Sequence, residues 1–214
     1  MNIFAELISQ AKKPTGIIGS LIVRIMNIGH NKLTNWSLSY LNIKEDDIIL
    51  DIGCGGGKTV NKLAKIARKG KVYGIDFSDA SVKLSYKLNK DYINSGKVDI
   101  QKASVSRLPF PDNFFNIITA IETYFFWPDL DNDMKEVLRV LKPKGNLLIV
   151  SEAYKNSENE KSLNRWSKFS DTTDFMQYQT KEEFEQTFIN VGYKDVIINN
   201  NTKHGWICGI GNKI

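Results

Sequence analysis

The stretch Asp51-Ile52-Gly53-Cys54-Gly55-Gly56-Gly57-Lys58-Thr59 constrains this chain more than any other. Before it, Asp47 to Ile52 is a short apolar run suited to a buried parallel strand. After it, Val60, Leu63, Ala64, Ile66 and Ala67 recur at helical spacing through Lys69. Glycines between a strand and a helix let the backbone take positive φ and approach a ligand closely. The helix start then offers free N–H groups and a positive dipole end. A P-loop reading needs glycine at position 52, which is Ile. The dinucleotide pattern Gly-x-Gly-x-x-Gly needs glycine at 58 or 60, which are Lys58 and Val60. What fits is Asp-x-Gly-x-Gly-x-Gly from Asp51 to Gly57.

The next strand, Lys71 to Asp76, ends in a carboxylate roughly 20 residues past the glycines, a spacing that suits a ribose contact. Adjacent parallel strands carry the turn and this acid to one sheet edge. Asp76 is not needed as a helix cap, because Ser78 or Asp79 fills that role. Phe77 follows and can lie against an adenine face.

From Ile48 onward strand and helix alternate, which implies an α/β fold with a mostly parallel sheet and helices on both faces. Strands are expected near 48–52, 71–76, 98–103, 115–122 and 146–151, and helices near 58–69, 79–94 and 130–142. A further helix opens with Thr180 and Glu183 as a capping box and closes at Gly192. Lys194–Asn199 and His204–Gly211 then read as two antiparallel closing strands. Strand four runs into Glu122-Thr123-Tyr124-Phe125-Phe126-Trp127, an aromatic cluster where open α/β sheets bind ligands.

Length suits one domain over 1–214, with 1–44 as an N-terminal helical lid or substrate cap, 45–152 as the binding core and 153–214 as the closing helix and strands. A net charge of +5 is spread out, and no block of like charge marks a nucleic-acid arm. Cys54 and Cys208 give neither a metal spacing nor a disulfide framework, so a cytoplasmic setting is expected and no metal. Residues 16–28 are too short and too interrupted to span a bilayer. They fit an amphipathic helix that packs on the domain, covers the cleft or touches a membrane surface.

Five signals occur in order: Asp51–Gly57, Gly74–Phe77, Leu108-Pro109-Phe110, the strand Phe115–Glu122, and Leu138-Arg139-Val140-Leu141-Lys142-Pro143-Lys144-Gly145. Together they resemble the class I S-adenosylmethionine (SAM)-dependent methyltransferases, in particular the ubiquinone/menaquinone-biosynthesis group, over about residues 45–152. The resemblance implies a Rossmann-like seven-stranded sheet of order 3-2-1-4-5-7-6 with the last strand antiparallel. It implies SAM as cofactor and S-adenosylhomocysteine as product. Gly53, Gly55 and Gly57 would form the turn under the methionine part, with Asp51 near its amino group. Asp76 would bind the ribose and Phe77 the adenine. Ser104 stands where such enzymes commonly carry an acid, so the Val105 backbone would meet the adenine edge. Ala120 and Ile121 would flank the methionine.

The expected reaction is methyl transfer to a small-molecule acceptor by in-line displacement. The alternatives are an RNA or protein methyltransferase, or a SAM-binding regulatory module without turnover. A general base is required only if the acceptor must lose a proton. Glu122, Tyr124 and His30 are the candidates, and His204 reads as structural.

Overall fold

The computed structural model describes residues 30–155 and 178–214. The expected amphipathic helix over 16–28, most of the 1–44 segment and nearly all of the polar stretch 155–161 lie outside the described residues. In chain order the elements are α1 (Asn31–Leu38), β1 (Ile48–Ile52), α2 (Lys58–Ile66), β2 (Lys71–Asp76), α3 (Asp79–Leu88), α4 (Lys90–Asn94) and β3 (Val98–Lys102). Then come β4 (Phe115–Ile121), a short 3-10 turn (Tyr124–Phe126), α5 (Leu130–Val140), β5 (Leu141–Ser151), α6 (Lys181–Val191), β6 (Lys194–Asn201) and β7 (Trp206–Asn212).

The seven strands form one sheet of order β3-β2-β1-β4-β5-β7-β6. β1 pairs in parallel with β2 and β4, and β7 runs antiparallel to both β5 and β6. Each face of the sheet carries its own apolar layer. Leu50, Ile52, Ile75, Ile118, Leu147 and Ile149 pack with Met134 and Val137 of α5 and Phe184 and Phe188 of α6. On the other face Ile49, Val72 and Ile117 meet Val60, Leu63 and Ala64 of α2, while Leu33 of α1 covers Leu148, Val150 and Cys208. This two-sided burial explains why the central strands read as continuous apolar runs.

Three boundaries differ from the sequence expectation, each for a tertiary reason. Helix α2 stops at Ile66, because the amides of Lys69 and Gly70 both donate to the Glu45 carbonyl and draw the chain back toward β1. The helix expected over 79–94 breaks at Asn89, whose buried amide donates to the carbonyls of Ser85 and Gly57 and accepts from Asn61. Strand β5 starts at Leu141 opposite Phe115, and the register then jumps so that Asn146 faces Ile117. Residues 142–145 therefore bulge at the start of β5, away from the edge that carries the glycine turn.

Candidate active site

The glycine turn leaves the carboxyl end of β1 and is held by backbone geometry. Gly53, Gly55 and Gly57 have φ of +68°, +51° and +80°, a region that disfavours any residue with a Cβ. A Cβ on Gly53 would come within 2.3 Å of Thr123 Oγ1, so the loop after β4 lies directly on the turn. A Cβ on Gly57 would meet Ser85 Oγ at 2.3 Å, Asn89 Nδ2 at 2.6 Å and the Ser85 backbone at 2.9 Å. Gly57 is thus demanded by helix α3 as much as by any ligand.

Two buried carboxylates flank the turn. Asp51, at 2% exposure, accepts a 2.7 Å hydrogen bond from Thr119 Oγ1 of β4. Burial pushes its pKa up to about 7; the Thr119 bond opposes that and the nearby Asp76 adds to it. Asp76 accepts from the Gly55 amide at 2.9 Å through one oxygen and from the Ser78 amide at 2.9 Å through the other. Its pKa is also raised by burial, against hydrogen bonds from Ser78, Gly55, Ser81 and Phe77. Asp76 therefore ties the turn to β2, a structural duty in addition to any ligand contact. Ser78, and not Asp79, caps α3 by accepting from the Ser81 amide.

The remaining cofactor candidates fall on both sides of this edge. Phe77 is 39% exposed beside the two carboxylates, free to present its ring. Ser104 is exposed, and its hydroxyl accepts from the Ser106 amide, while the Val105 side chain is buried. Ala120 is fully buried in β4, and Ile121 packs on the opposite layer with Leu33, Val150 and Cys208. A buried carboxylate, a second one beside it and an exposed ring suit a ligand with a cationic amine, a diol and a flat heterocycle.

The other half of the edge lies after β4 and β5. Glu122, directly after β4, sits at φ +57°, an uncommon conformation for a non-glycine residue. Its carboxylate accepts from the Glu152 amide just past β5 and is also bonded to Ser151. Burial pushes the Glu122 pKa up to about 7; His30 lowers it and Glu152 raises it. His30, capping α1, places Nε2 3.6 Å from Glu152 Oε1. Its pKa is raised, because the bond to Glu152 and the charges of Glu122 and Glu152 together outweigh burial, the largest single influence. Glu152 is correspondingly lowered by its bond to His30.

So His30 and Glu122 are brought together, and with them Glu152, which sequence reasoning missed. An acid after a strand looks like any solvated loop residue, and only its place at the shared edge could have flagged it. Tyr124 lies within electrostatic reach of Glu122 but deeper in the core. It is 1% exposed, packed between Phe125 and Phe184 as part of the core, with its pKa raised by burial. Beyond it, Phe125, Phe126 and Tyr178 form a ring cluster, and the Trp127 indole N–H is buried with no partner among the described residues. His204 stacks on Trp206 with centroids 4.5 Å apart, as a structural residue would.

The chain matches the family model described as "Methyltransferase domain" over residues 50–149. It is 28% identical over 144 residues to the uncharacterized methyltransferase YdaC of Bacillus subtilis, covering 66% of this chain and 77% of that protein. It is 30% identical over 139 residues to the ubiquinone/menaquinone biosynthesis C-methyltransferase UbiE of Neisseria meningitidis. That match covers 63% of this chain and 56% of the relative, so the chain spans only about half of the quinone enzyme's length. Among solved structures, a chain of the Haloferax volcanii complex between the Trm112 methyltransferase activator and a methyltransferase superposes with a TM-score of 0.74. It covers 99% of this chain and 98% of its own, at 18% identity, which speaks for the fold alone.

Proposed function

We propose that the chain is a class I SAM-dependent methyltransferase that transfers the SAM methyl group to a small-molecule acceptor by in-line displacement. The observation that carries the reading is the glycine turn. It carries three left-handed glycines, and the Gly55 amide ties it to Asp76 of the neighbouring strand, beside the buried Asp51.

The residues fit the cofactor. Asp51, ionised by a neighbouring ammonium, would hold the methionine amino group, and Asp76 the ribose. Phe77 would cover the adenine, Val105 would offer its backbone to the adenine edge, and Ala120 and Ile121 would flank the methionine. Ser104 would contribute little, because its hydroxyl already closes its own turn. When bound, SAM supplies a methyl group already activated by its sulfonium charge. The protein's share is then to align the acceptor with that methyl and to exclude water. The Phe125–Phe126–Tyr178 cluster supplies apolar walls, and residues 1–44 would close over them as a lid. His30 and Glu122 face the acceptor side of the edge, where a proton leaving the acceptor would be taken.

Small-molecule substrates are favoured over RNA by the scattered distribution of the +5 charge. The similarity to a ubiquinone/menaquinone biosynthesis C-methyltransferase supports the same class. Among the described residues no helix is long and apolar enough to cross a membrane.

Two measurements test the proposal. Calorimetry with S-adenosylhomocysteine should give saturable binding, and no heat with either cofactor form would sink the cofactor claim. Labelled SAM, incubated with metabolite, RNA and protein fractions, should label the metabolites. Label in RNA or protein would favour the alternative acceptors, and none at all would favour a binding module without turnover. Asp76→Ala leaves the Gly55 and Ser78 amides without their acceptor. It should cost about 2 kcal/mol of stability and at least tenfold in cofactor affinity. Unchanged affinity would refute the ribose assignment.

A further inference from the structure

Three metal-ligating side chains from three separate segments converge where β4 and β5 end. His30 comes from the cap of α1, Glu122 from the residue after β4 and Glu152 from the residue after β5. One donor atom from each lies within 4.8 Å of the other two. We propose that His30, Glu122 and Glu152 form a site for a single divalent first-row transition cation, with open positions toward the acceptor space.

The donor set selects the class of ion. One imidazole with two carboxylates suits Mn²⁺, Fe²⁺, Co²⁺ or Zn²⁺, whereas Ca²⁺ and Mg²⁺ favour oxygen ligands throughout. Three protein ligands with vacant positions is the pattern of reactive rather than structural metal centres. Donors about 2.1 Å from one ion lie about 3.0 to 3.4 Å apart in octahedral or tetrahedral geometry. His30 Nε2 and Glu152 Oε1, 3.6 Å apart, are already close to that, and the three donors, all within 4.8 Å of one another, would draw together by about 1 Å through side-chain rotation on binding the ion.

Two of the three ligands are also anchored by bonds beyond the donor atoms, as ligands of a preformed site are. Glu122 is fixed by the Glu152 amide and by Ser151, on a backbone already bent into the left-handed region. His30 is fixed by its carbonyl, which accepts from both the amide and the hydroxyl of Thr34. The two carboxylates are close enough for the Glu152 charge to act against ionisation of Glu122. No lysine or arginine among the described residues forms an ion pair with either. A cation between them replaces that repulsion by attraction.

The ion's binding does not depend on the methyl-transfer reading, but its use does. Beside the methyl donor it would take an oxygen of the acceptor, replacing direct proton uptake by His30 or Glu122, whose donor atoms it occupies, and this narrows the acceptor class to molecules presenting a hydroxyl, enol or carboxylate. The test uses the full untagged chain, stripped of metal and titrated with Co²⁺ while its visible absorption is followed. Saturation at one ion per chain is expected. His30→Ala, Glu122→Gln and Glu152→Gln should each weaken it at least tenfold, while Glu182→Gln, on the exposed face of α6, leaves it unchanged. Absence of saturable Co²⁺ binding would overturn the proposal, as would equal affinity in the wild type and the three site variants. S-adenosylhomocysteine calorimetry on the same stripped samples keeps the two ideas apart. Cofactor binding without Co²⁺ binding rejects the metal site alone, and the reverse rejects the cofactor reading alone.

Discussion

The two halves of the sheet's carboxyl edge are built on opposite plans. The half after β1 and β2 is local and backbone-made: three left-handed glycines, a turn bonded to Asp76, and a helix starting within the motif. The half after β4 and β5 is assembled from side chains far apart in sequence, with His30, Glu122, Glu152 and Tyr178 meeting only in the fold. A cofactor shared across a family can be served by a fixed backbone cradle. An acceptor particular to one enzyme needs exchangeable side chains on separate segments.

If this contrast is right, substitutions in the first half should act on folding and those in the second on ligands alone. The largest effect is expected at Asp51. Its folded pKa near 7 lies above the ordinary value near 4, so between those values the folded chain holds a proton that the unfolded chain releases. Stability is therefore fully present below about pH 4 and declines as pH rises through 7. Asp51→Asn removes this decline. Its advantage over the wild type in denaturant unfolding should grow from pH 5 to pH 8, toward an upper bound of about 4 kcal/mol. Cofactor affinity should fall at the same time. An advantage independent of pH would contradict the buried-acid account.

Gly57→Ala comes next. It places a Cβ at φ +80° against Ser85 and Asn89 and should cost about 3 kcal/mol, read from the same unfolding curves. A cost under about 1 kcal/mol would mean that the turn relaxes freely and that the cradle is less rigid than described. The smallest effect is expected in the other half. The His30–Glu152 pair is partly exposed, with side-chain accessibilities of 20% and 50%. Glu152→Gln should therefore change stability by less than about 1 kcal/mol while abolishing high-affinity Co²⁺ binding. A large loss of stability there would erase the distinction between the halves.

The same distinction decides what could be read from the sequence. The turn, the strands of the parallel sheet and the place of Asp76 follow from patterns contained within a few dozen residues. The capping box at Thr180 and Glu183 forms as expected, for the same reason. What escaped depended on distant partners. Asn89 breaks a helix because Gly57 and Asn61 need its amide, and neither is visible from the periodicity of 79–94. Glu152 matters only because Glu122 and His30 arrive beside it. The packing of Tyr124 against Phe184 likewise depends on α6, which arrives from the far end of the sequence.

The contact between Thr123 and Gly53 joins the two halves, with consequences for anyone who tries to redesign the enzyme. On the proposed reading, residue 123 is an obvious place to reshape the acceptor side, since it lies between Glu122 and the ring cluster. It also roofs the first glycine with no spare room. A larger side chain there would press on the cradle, and variants selected for a new acceptor would carry an altered cofactor affinity with them. Specificity is better re-engineered from Phe125 and Phe126, whose rings pack on each other and, for Phe125, on Tyr178.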